Sequence, residues 1–336
     1  DVYKRQRYNR QVRYAPFGEA GQQQLMQTHV MVMGAGALGS HIAELLVRMG
    51  IGQLTIIDMD IVERSNLHRQ ALYDEDDAEQ LRPKVTALTE KLQRINEEVT
   101  VTPLYQELTP TNIEALLTEH QPDIVLDGMD HFEIRYLINE ACHKHHIPWI
   151  YGAAVGSKGT VYAIDFTGPC LKCVLGTMPE TGESCAINGV IPPAIYQVAS
   201  TEVSELMRFV SGHGFSKKLI MLDAFQLRYQ TMNIDVLKQA DCPVCEQGNY
   251  ELLNQPQQQH LQKLCGRTFL CRFDSTVFDY ADYFPGKITK QNDYVKLMRY
   301  DDYQLTLFRD GRMNIYGTDD ANEAKALYHT FSKALK

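Results

Sequence analysis

Three things are scarce in this sequence, and each scarcity removes a class of protein. No apolar run approaches the roughly 18 residues a membrane-crossing helix needs, so no membrane partner is expected. Positive charge is short: 33 Lys and Arg stand against 42 Asp and Glu, giving a formal net charge of -9. A polyphosphate backbone is therefore a poor main partner, no nucleic acid is expected, and a partner with a basic surface suits the chain better. The opening residues lack the charged-then-apolar pattern of a secretory signal, and eight cysteines in 336 residues are too few for a disulfide scaffold. A reducing cytoplasm is the expected location. Residues 1–6 (DVYKRQ) contain no initiator Met and read as a non-native leader, with the native chain expected to start at or before Arg7.

What is present has the balance of a globular protein, 44% hydrophobic and 22% charged, with room for about two domains. From His29 onward, apolar strands alternate with amphipathic helices. His29 to Met33 predicts a strand, Ser40 to Met49 a helix with Ile42, Leu45, Leu46 and Met49 on one side, and Leu54 to Ile57 a second strand. A helix striped by Val85, Leu88, Leu92 and Ile95 follows, then strands at Val99 to Leu104, Ile124 to Leu126 and Trp149 to Tyr151, separated by helices after Pro110 and from Phe132. Such alternation implies a parallel, doubly wound sheet. Beyond residue 158 the strands Thr160 to Phe166, Lys218 to Asp223 and Gln226 to Ile234, with one helix from Pro193 to Ser211, predict an antiparallel continuation.

The expected division is an N-terminal domain over 7–248, a polar linker over 249–262 and a small α+β unit over 263–336. In that last unit Tyr303 to Tyr316 reads as a hairpin turning at Asp310-Gly311, ahead of a helix from Asn322 to Leu335.

Gly34-Ala-Gly36-Ala-Leu-Gly39 lies between the first strand and the first helix, and Asp58 ends the next strand 24 residues past Gly34. Glycines let a backbone approach phosphates, a helix N-terminus favours anions, and a carboxylate at the second strand end takes ribose hydroxyls. This predicts a nucleotide site but does not separate NAD from ATP. The segment that follows carries Asn66, Arg69 and Lys84, one amide and two cations of a kind that neutralise a polyphosphate and that hydride transfer does not need. The competing reading makes Arg69 and Lys84 solvated surface charges. Asp130, at the end of the fourth strand, is placed to hold Mg²⁺ against phosphate oxygens or to cap the helix from Phe132, two roles that do not exclude each other.

Cys170-x-x-Cys173 and Cys242-Pro-x-Cys245 have the spacing of a four-thiolate zinc site, with 68 residues between the pairs. Two separate redox pairs are the alternative. Cys185 lies apart, in a polar, glycine-bearing stretch before the helix from Pro193, where a helix N-terminus favours thiolate. Cys142, Cys265 and Cys271 read as packed thiols, and His143, His145 and His146 close a helix without an acid at ligand spacing.

Taken in order, Arg7-Tyr-Asn-Arg10-Gln11, GAGALG, the string from Asp58 to Gln70, Arg82-Pro-Lys84, Asp130 and the two Cys pairs resemble the E1-like adenylyltransferases of the ThiF/MoeB/HesA group, over roughly residues 7 to 248. The resemblance implies a Rossmann-like doubly wound α/β sheet, parallel in its first half and antiparallel in its second. It implies ATP-dependent adenylation, with Mg²⁺, of the C-terminal carboxylate of a ubiquitin-like sulfur carrier, ThiS-like slightly ahead of MoaD-like, in thiamine or molybdopterin synthesis. Structural Zn²⁺ on the four cysteines also follows.

By the same resemblance Asp58 binds ribose, Asn66, Arg69 and Lys84 bind phosphates, and Asp130 serves Mg²⁺. Arg10 reaches the site of the partner in a homodimer, and Cys185 relays sulfur supplied by a cysteine desulfurase. Two positions depart from the family pattern: Leu81 where Gly is usual, and His131 where Asn is usual. Other readings of the chain are an NAD-dependent dehydrogenase, a catalytically silent zinc scaffold that binds a carrier, and a dehydratase acting on a modified tRNA nucleoside.

Overall fold

The computed structural model describes residues 6–176, 189–255, 260–264 and 268–334. Eight strands form the first sheet: β1 (His29–Met33), β2 (Gln53–Asp58), β3 (Thr100–Tyr105), β4 (Ile124–Asp127), β5 (Trp149–Val155), β6 (Lys158–Ile164), β7 (Lys218–Asp223) and β8 (Arg228–Asn233). Their order is β3-β2-β1-β4-β5-β6-β7-β8. Pairing is parallel from β3 to β5 and antiparallel from β5 to β8. The change of direction follows from the connections, because helices carry the chain back between the parallel strands whereas only Gly156 and Ser157 join β5 to β6. The doubly wound expectation therefore holds, including its antiparallel half.

Side-chain alternation along the buried strands splits the core in two. Val30, Val32, Leu54 and Ile56 pack with Ile42 and Leu46 of the Ala37–Met49 helix, Leu88 of the Lys84–Ile95 helix and Val198 of the Pro192–Val210 helix. Met31, Met33, Ile57 and Val125 face the other way, against Leu117 of the Ile113–His120 helix and Leu137 of the Phe132–Lys144 helix. A parallel strand covered on both faces must be apolar on both, which is why β1 reads as a continuous apolar run. Polar groups also enter this core, among them Glu202, which is fully buried. A Cβ at Gly152 would lie 1.8 Å from its Oε1, so only glycine leaves room for it there. Burial, reinforced by nearby Asp127, pushes the Glu202 carboxyl well above the ordinary range.

The second sheet holds β9 (Leu261–Lys263), β10 (Thr268–Arg272), β11 (Lys287–Gln291), β12 (Val295–Tyr300), β13 (Tyr303–Phe308) and β14 (Arg312–Tyr316), in the order β11-β12-β13-β14-β10-β9. All its pairings are antiparallel. The Ala321–Ala334 helix buries Ala324 and Phe331 against Phe269, Leu305 and Met313. The hairpin expected at Tyr303 to Tyr316 is present, and Gly311 at its tip has φ 91°. The stretch expected as a linker is pinned at its start, where the amides of Leu252 and Leu253 donate to Glu140, and its last residues, Leu261 and Gln262, open β9.

The two sheets meet along an apolar seam of Ile61, Leu81, Val295 and Phe308. Leu81, one of the two departures from the family pattern, has φ 53°, a left-handed conformation that costs a leucine about 1–2 kcal/mol. Its side chain lies in the seam with the residue only 8% exposed, and burying a leucine contributes about 1.5–3 kcal/mol. The second sheet thus offsets a strain that glycine would not have carried.

Candidate active site at the ends of the first, second and fourth strands

Sheet order reverses between β1 and β4, and the C-terminal ends of these strands flank the crevice where ligands bind in open α/β sheets. The glycines divide the work there. Gly34, at φ 102°, makes the turn out of β1, and a Cβ on it would sit 2.5 Å from the Gly128 oxygen after β4. At Gly39 a Cβ would lie 1.8 Å from the Gly34 oxygen, so glycine sets how closely helix and strand approach. Gly36 has no neighbour nearer than Gln70 Nε2 at 3.9 Å, which leaves an open backbone face at the N-terminus of the Ala37–Met49 helix.

Asp58 closes β2 against this loop, accepting from the Ala35 amide at 2.7 Å and the Asp60 amide at 2.8 Å. Asp60, not singled out from the sequence, accepts from Lys84 Nζ at 3.2 Å, and its carbonyl accepts from the Lys84 amide at 2.9 Å. Lys84 is only 6% exposed, which excludes the solvated-surface reading for it. Burial opposes its charge, but the carboxylates of Asp60, Asp58 and, more weakly, Asp130 outweigh that and raise the ammonium above the ordinary lysine range. The reciprocal effects separate the acids. Burial and the charge of Asp60 push Asp58 up, while for Asp60 the opposing pull of Lys84 and then Arg312 overcomes burial and holds it low. Lys84 is therefore a buried cation set against Asp58 and Asp60, with Asp130 acting on it more weakly.

The segment after β2 folds over the glycine helix. Asn66 is buried and its Oδ1 accepts from the Glu63 amide at 3.1 Å, closing a capping box around the short 3₁₀ turn Arg64–Asn66. Arg69 is half-buried; its Nη1 donates to the Ser65 carbonyl at 2.7 Å, and its carbonyl bonds His41 of the glycine helix at 3.1 Å. Gln70 beside Gly36 is buried with Oε1 unpartnered, and Tyr73 donates to the Ala35 carbonyl at 2.7 Å. Sequence reading missed Gln70 and Tyr73 because uncharged side chains give no local signal of facing a loop more than thirty residues earlier.

Asp130 projects from the end of β4, its side chain 71% exposed and paired with His131 at 3.3 Å. The capping alternative fails: His131 is the N-cap of the Phe132–Lys144 helix, and no side chain caps that end. Below Asp130 the loop is clamped. Asp127 accepts from the Met129 amide at 2.8 Å and from Arg135 Nε at 2.7 Å, and Arg135 Nη2 donates to the carbonyls of Met129 and Gly152. Neither Asp127 nor Arg135 was singled out as a site residue from sequence.

Arg10 is not in this crevice. It is exposed on the Asn9–Val12 helix, whose Gln11 donates to the Met49 carbonyl, at the far end of the glycine helix. Thirteen residues at 1.5 Å each put that end about 20 Å from the glycine loop, beyond the reach of an arginine in its own chain.

The four cysteines expected to cluster do so. Cys170, Cys173, Cys242 and Cys245 bring their sulfurs within 4.8 Å of one another, with Cys173–Cys245 at 3.6 Å, Cys170–Cys242 at 3.7 Å and Cys170–Cys173 at 4.0 Å. A tetrahedron with metal–sulfur bonds of about 2.3 Å has edges of about 3.8 Å, so the set has the size of a metal site, and the two separate redox pairs are not what is seen. Among the described residues it is the one such gathering of potential ligands. Cys142 and Cys271 are buried, as expected of packed thiols. Cys185 and Cys265 lie outside the described residues. His145 does have an acid partner, Glu114 at 3.0 Å, supplied by a different helix and so not visible in local spacing. No helix among the described residues is long and apolar enough to cross a membrane.

Known proteins share both the fold and the sequence. Over 332 residues, 96% of this chain and 98% of the relative, the chain is 37% identical to the sulfur carrier protein ThiS adenylyltransferase of Bacillus subtilis. It is 34% identical to the molybdopterin-synthase adenylyltransferase of Escherichia coli over 245 residues, 72% of this chain and 96% of that one. A crystal structure of Escherichia coli MccB with MccA-N7isoASN covers 71% of this chain and 74% of its own, with a TM-score of 0.61; at 22% identity this likeness is one of fold. The model of the ThiF family matches residues 8–244, which takes in the whole crevice, and the chain belongs to that family.

Proposed function

We propose that this chain transfers the adenylyl group of ATP to the C-terminal carboxylate of a ubiquitin-like sulfur carrier, ThiS-like in preference to MoaD-like, and releases pyrophosphate. The observation that carries this reading is Lys84, a buried cation set against Asp60 and against Asp58, whose carboxylate holds the Ala35 amide of the glycine loop. A nicotinamide dehydrogenase has no use for such a charge. The thiamine-type carrier is favoured because the likeness to the ThiS enzyme runs the full length of both chains, whereas the molybdopterin-type relative is nearly used up by a 245-residue alignment and has no room for the second sheet.

In this mechanism the helix N-terminus at Gly36 receives phosphate oxygens, with Asn66, Arg69 and Lys84 around them. Asp58 accepts from the ribose hydroxyls; a carboxylate has about four lone-pair sites, so its two backbone bonds leave capacity. The carrier carboxylate is ionised at neutral pH and needs no general base. Its oxygen attacks the α-phosphorus as the bond to the pyrophosphate oxygen breaks, and the protein contributes position and charge. Asp130 offers an exposed oxygen of the kind Mg²⁺ prefers, and Mg²⁺ held there supplies further neutralisation of phosphate charge. Label from α-labelled ATP should appear on the carrier, and label from γ-labelled ATP should not; transfer of the γ-label contradicts adenylation.

Arg10 is assigned to the neighbouring site of a homodimer, on its distance from its own crevice. An Arg10→Ala protein and a Lys84→Ala protein should each be inactive, and mixing them with subunit exchange should restore roughly a quarter of wild-type carrier adenylation, since one site in two is intact in half the dimers. Mixing that restores nothing contradicts action across the dimer.

Cys185 is assigned to sulfur delivery after adenylation, with a cysteine desulfurase as donor. Cys185→Ser should keep pyrophosphate exchange within about twofold and stop thiocarboxylate formation, and loss of both activities contradicts this division. The cysteine cluster is assigned structural Zn²⁺, because four thiolates fill a tetrahedral shell and leave no open position for substrate.

A further inference from the structure

The second sheet reaches into the framework of the nucleotide site at two points. Arg312, at the start of β14, is buried; its Nη2 donates to the Met59 carbonyl at 2.7 Å, between Asp58 and Asp60. Its Nε is held by Asp310 at 2.7 Å and its guanidinium lies over the Phe308 ring at 4.5 Å, so the donor is rigidly aimed. Asn292, in the turn before β12, donates to the carbonyls of Gln80 and Leu81 at 2.9 and 3.1 Å. The chain from Gln80 leads directly to Lys84. These two segments are joined by an antiparallel bridge between Ile61 and Pro83, by the Val62 amide on the Arg82 carbonyl, and by the Lys84 amide on the Asp60 carbonyl. Both sides of the Lys84 cradle are therefore gripped by the same sheet, with the Leu81 side chain between them in the seam.

We propose that the second sheet is a clamp on the nucleotide site, with Arg312 and Asn292 as positioning residues that hold Asp60 and Lys84 where ATP phosphates are bound. This deepens the adenylation reading and rests on it for the identity of the nucleotide. Leucine at position 81 fits the same account: the left-handed turn that delivers Lys84 is fixed by a contact from the second sheet instead of by glycine. Neither residue touches the proposed reacting atoms, so their effect should fall on nucleotide affinity and not on carrier affinity.

The test uses the full-length protein, with wild type, Arg312→Gln, Arg312→Lys and Asn292→Ala, each checked for retained zinc and melting temperature. The ATP concentration giving half-maximal carrier-dependent exchange should rise about tenfold in Arg312→Gln and about threefold in Asn292→Ala, with carrier half-saturation within about twofold. Arg312→Lys, which still offers one donor to Met59, should recover part of the loss. ATP titration by calorimetry without carrier should show the same order of affinities. Unchanged ATP affinity in a folded Arg312→Gln protein overturns the clamp, as does a parallel rise in ATP and carrier half-saturation. If Arg312→Gln does not fold, Asn292→Ala decides by the same criterion. Absence of carrier-dependent exchange in wild type would instead count against the adenylation reading, and the calorimetric comparison would still decide the clamp.

Discussion

Replacing Asp130 by alanine should abolish carrier-dependent exchange of pyrophosphate into ATP, with a loss of at least about 10³-fold, while metal content and melting temperature should stay at wild-type values. The separation of the two effects follows from where the side chain stands. Asp130 is exposed, with the His131 ring beside it at 3.3 Å. The loop beneath it is held by Asp127 and Arg135, which bond both the amide and the carbonyl of Met129, so the backbone does not depend on the Asp130 carboxylate. Removing it deletes an oxygen donor beside Lys84 and little else. Exchange measured alongside a thermal melt checks this, and an Asp130→Ala protein that keeps exchange contradicts the role given to this residue.

Loss of one clustered cysteine should have the opposite signature, a fall in stability. Cys170→Ser or Cys242→Ser removes a ligand from a site joining segments 72 residues apart. If only about 5 kcal/mol of metal-binding energy is lost from the folded state, a domain of this size melts about 10–20 °C lower. Cys170 and Cys242 are both buried, with Val244 and the Phe166 and Tyr250 rings packed around the cluster, so the vacated site has no easy way to refill. A strong chelator should lower the wild-type melting temperature by a similar amount and leave the Cys170→Ser protein unaffected. Metal analysis that finds no zinc, together with thiol titration that finds two disulfides, contradicts the four-thiolate reading in favour of redox pairs.

The parts of the molecule that were legible beforehand are those encoded locally. Alternating apolar residues place β1, β2 and β4, the glycine spacing places the crevice, and the two Cys-x-x-Cys steps announce their own cluster. What escaped notice depends on contacts across the chain. The strand β9 has only three residues, and Lys287–Gln291 is exposed and polar along much of its length, so no apolar period marks either as a strand. Arg312 meets Met59 across 253 residues, a relation no window contains. Leu81 looked like a departure from a glycine pattern until the seam with Val295 and Phe308 supplied a reason for a large side chain at positive φ. Lys84 was found as a cation, but its burial among Asp58, Asp60 and Asp130 depends on the ends of β2 and β4, which the sheet brings to either side of β1. The sheet order explains the crevice.

The central claim is tested most directly by exchange of labelled pyrophosphate into ATP, measured with a thiamine-type and a molybdopterin-type carrier side by side. Exchange should require a carrier and be faster with the thiamine type. No exchange with either carrier, from a folded and zinc-loaded protein, would contradict it.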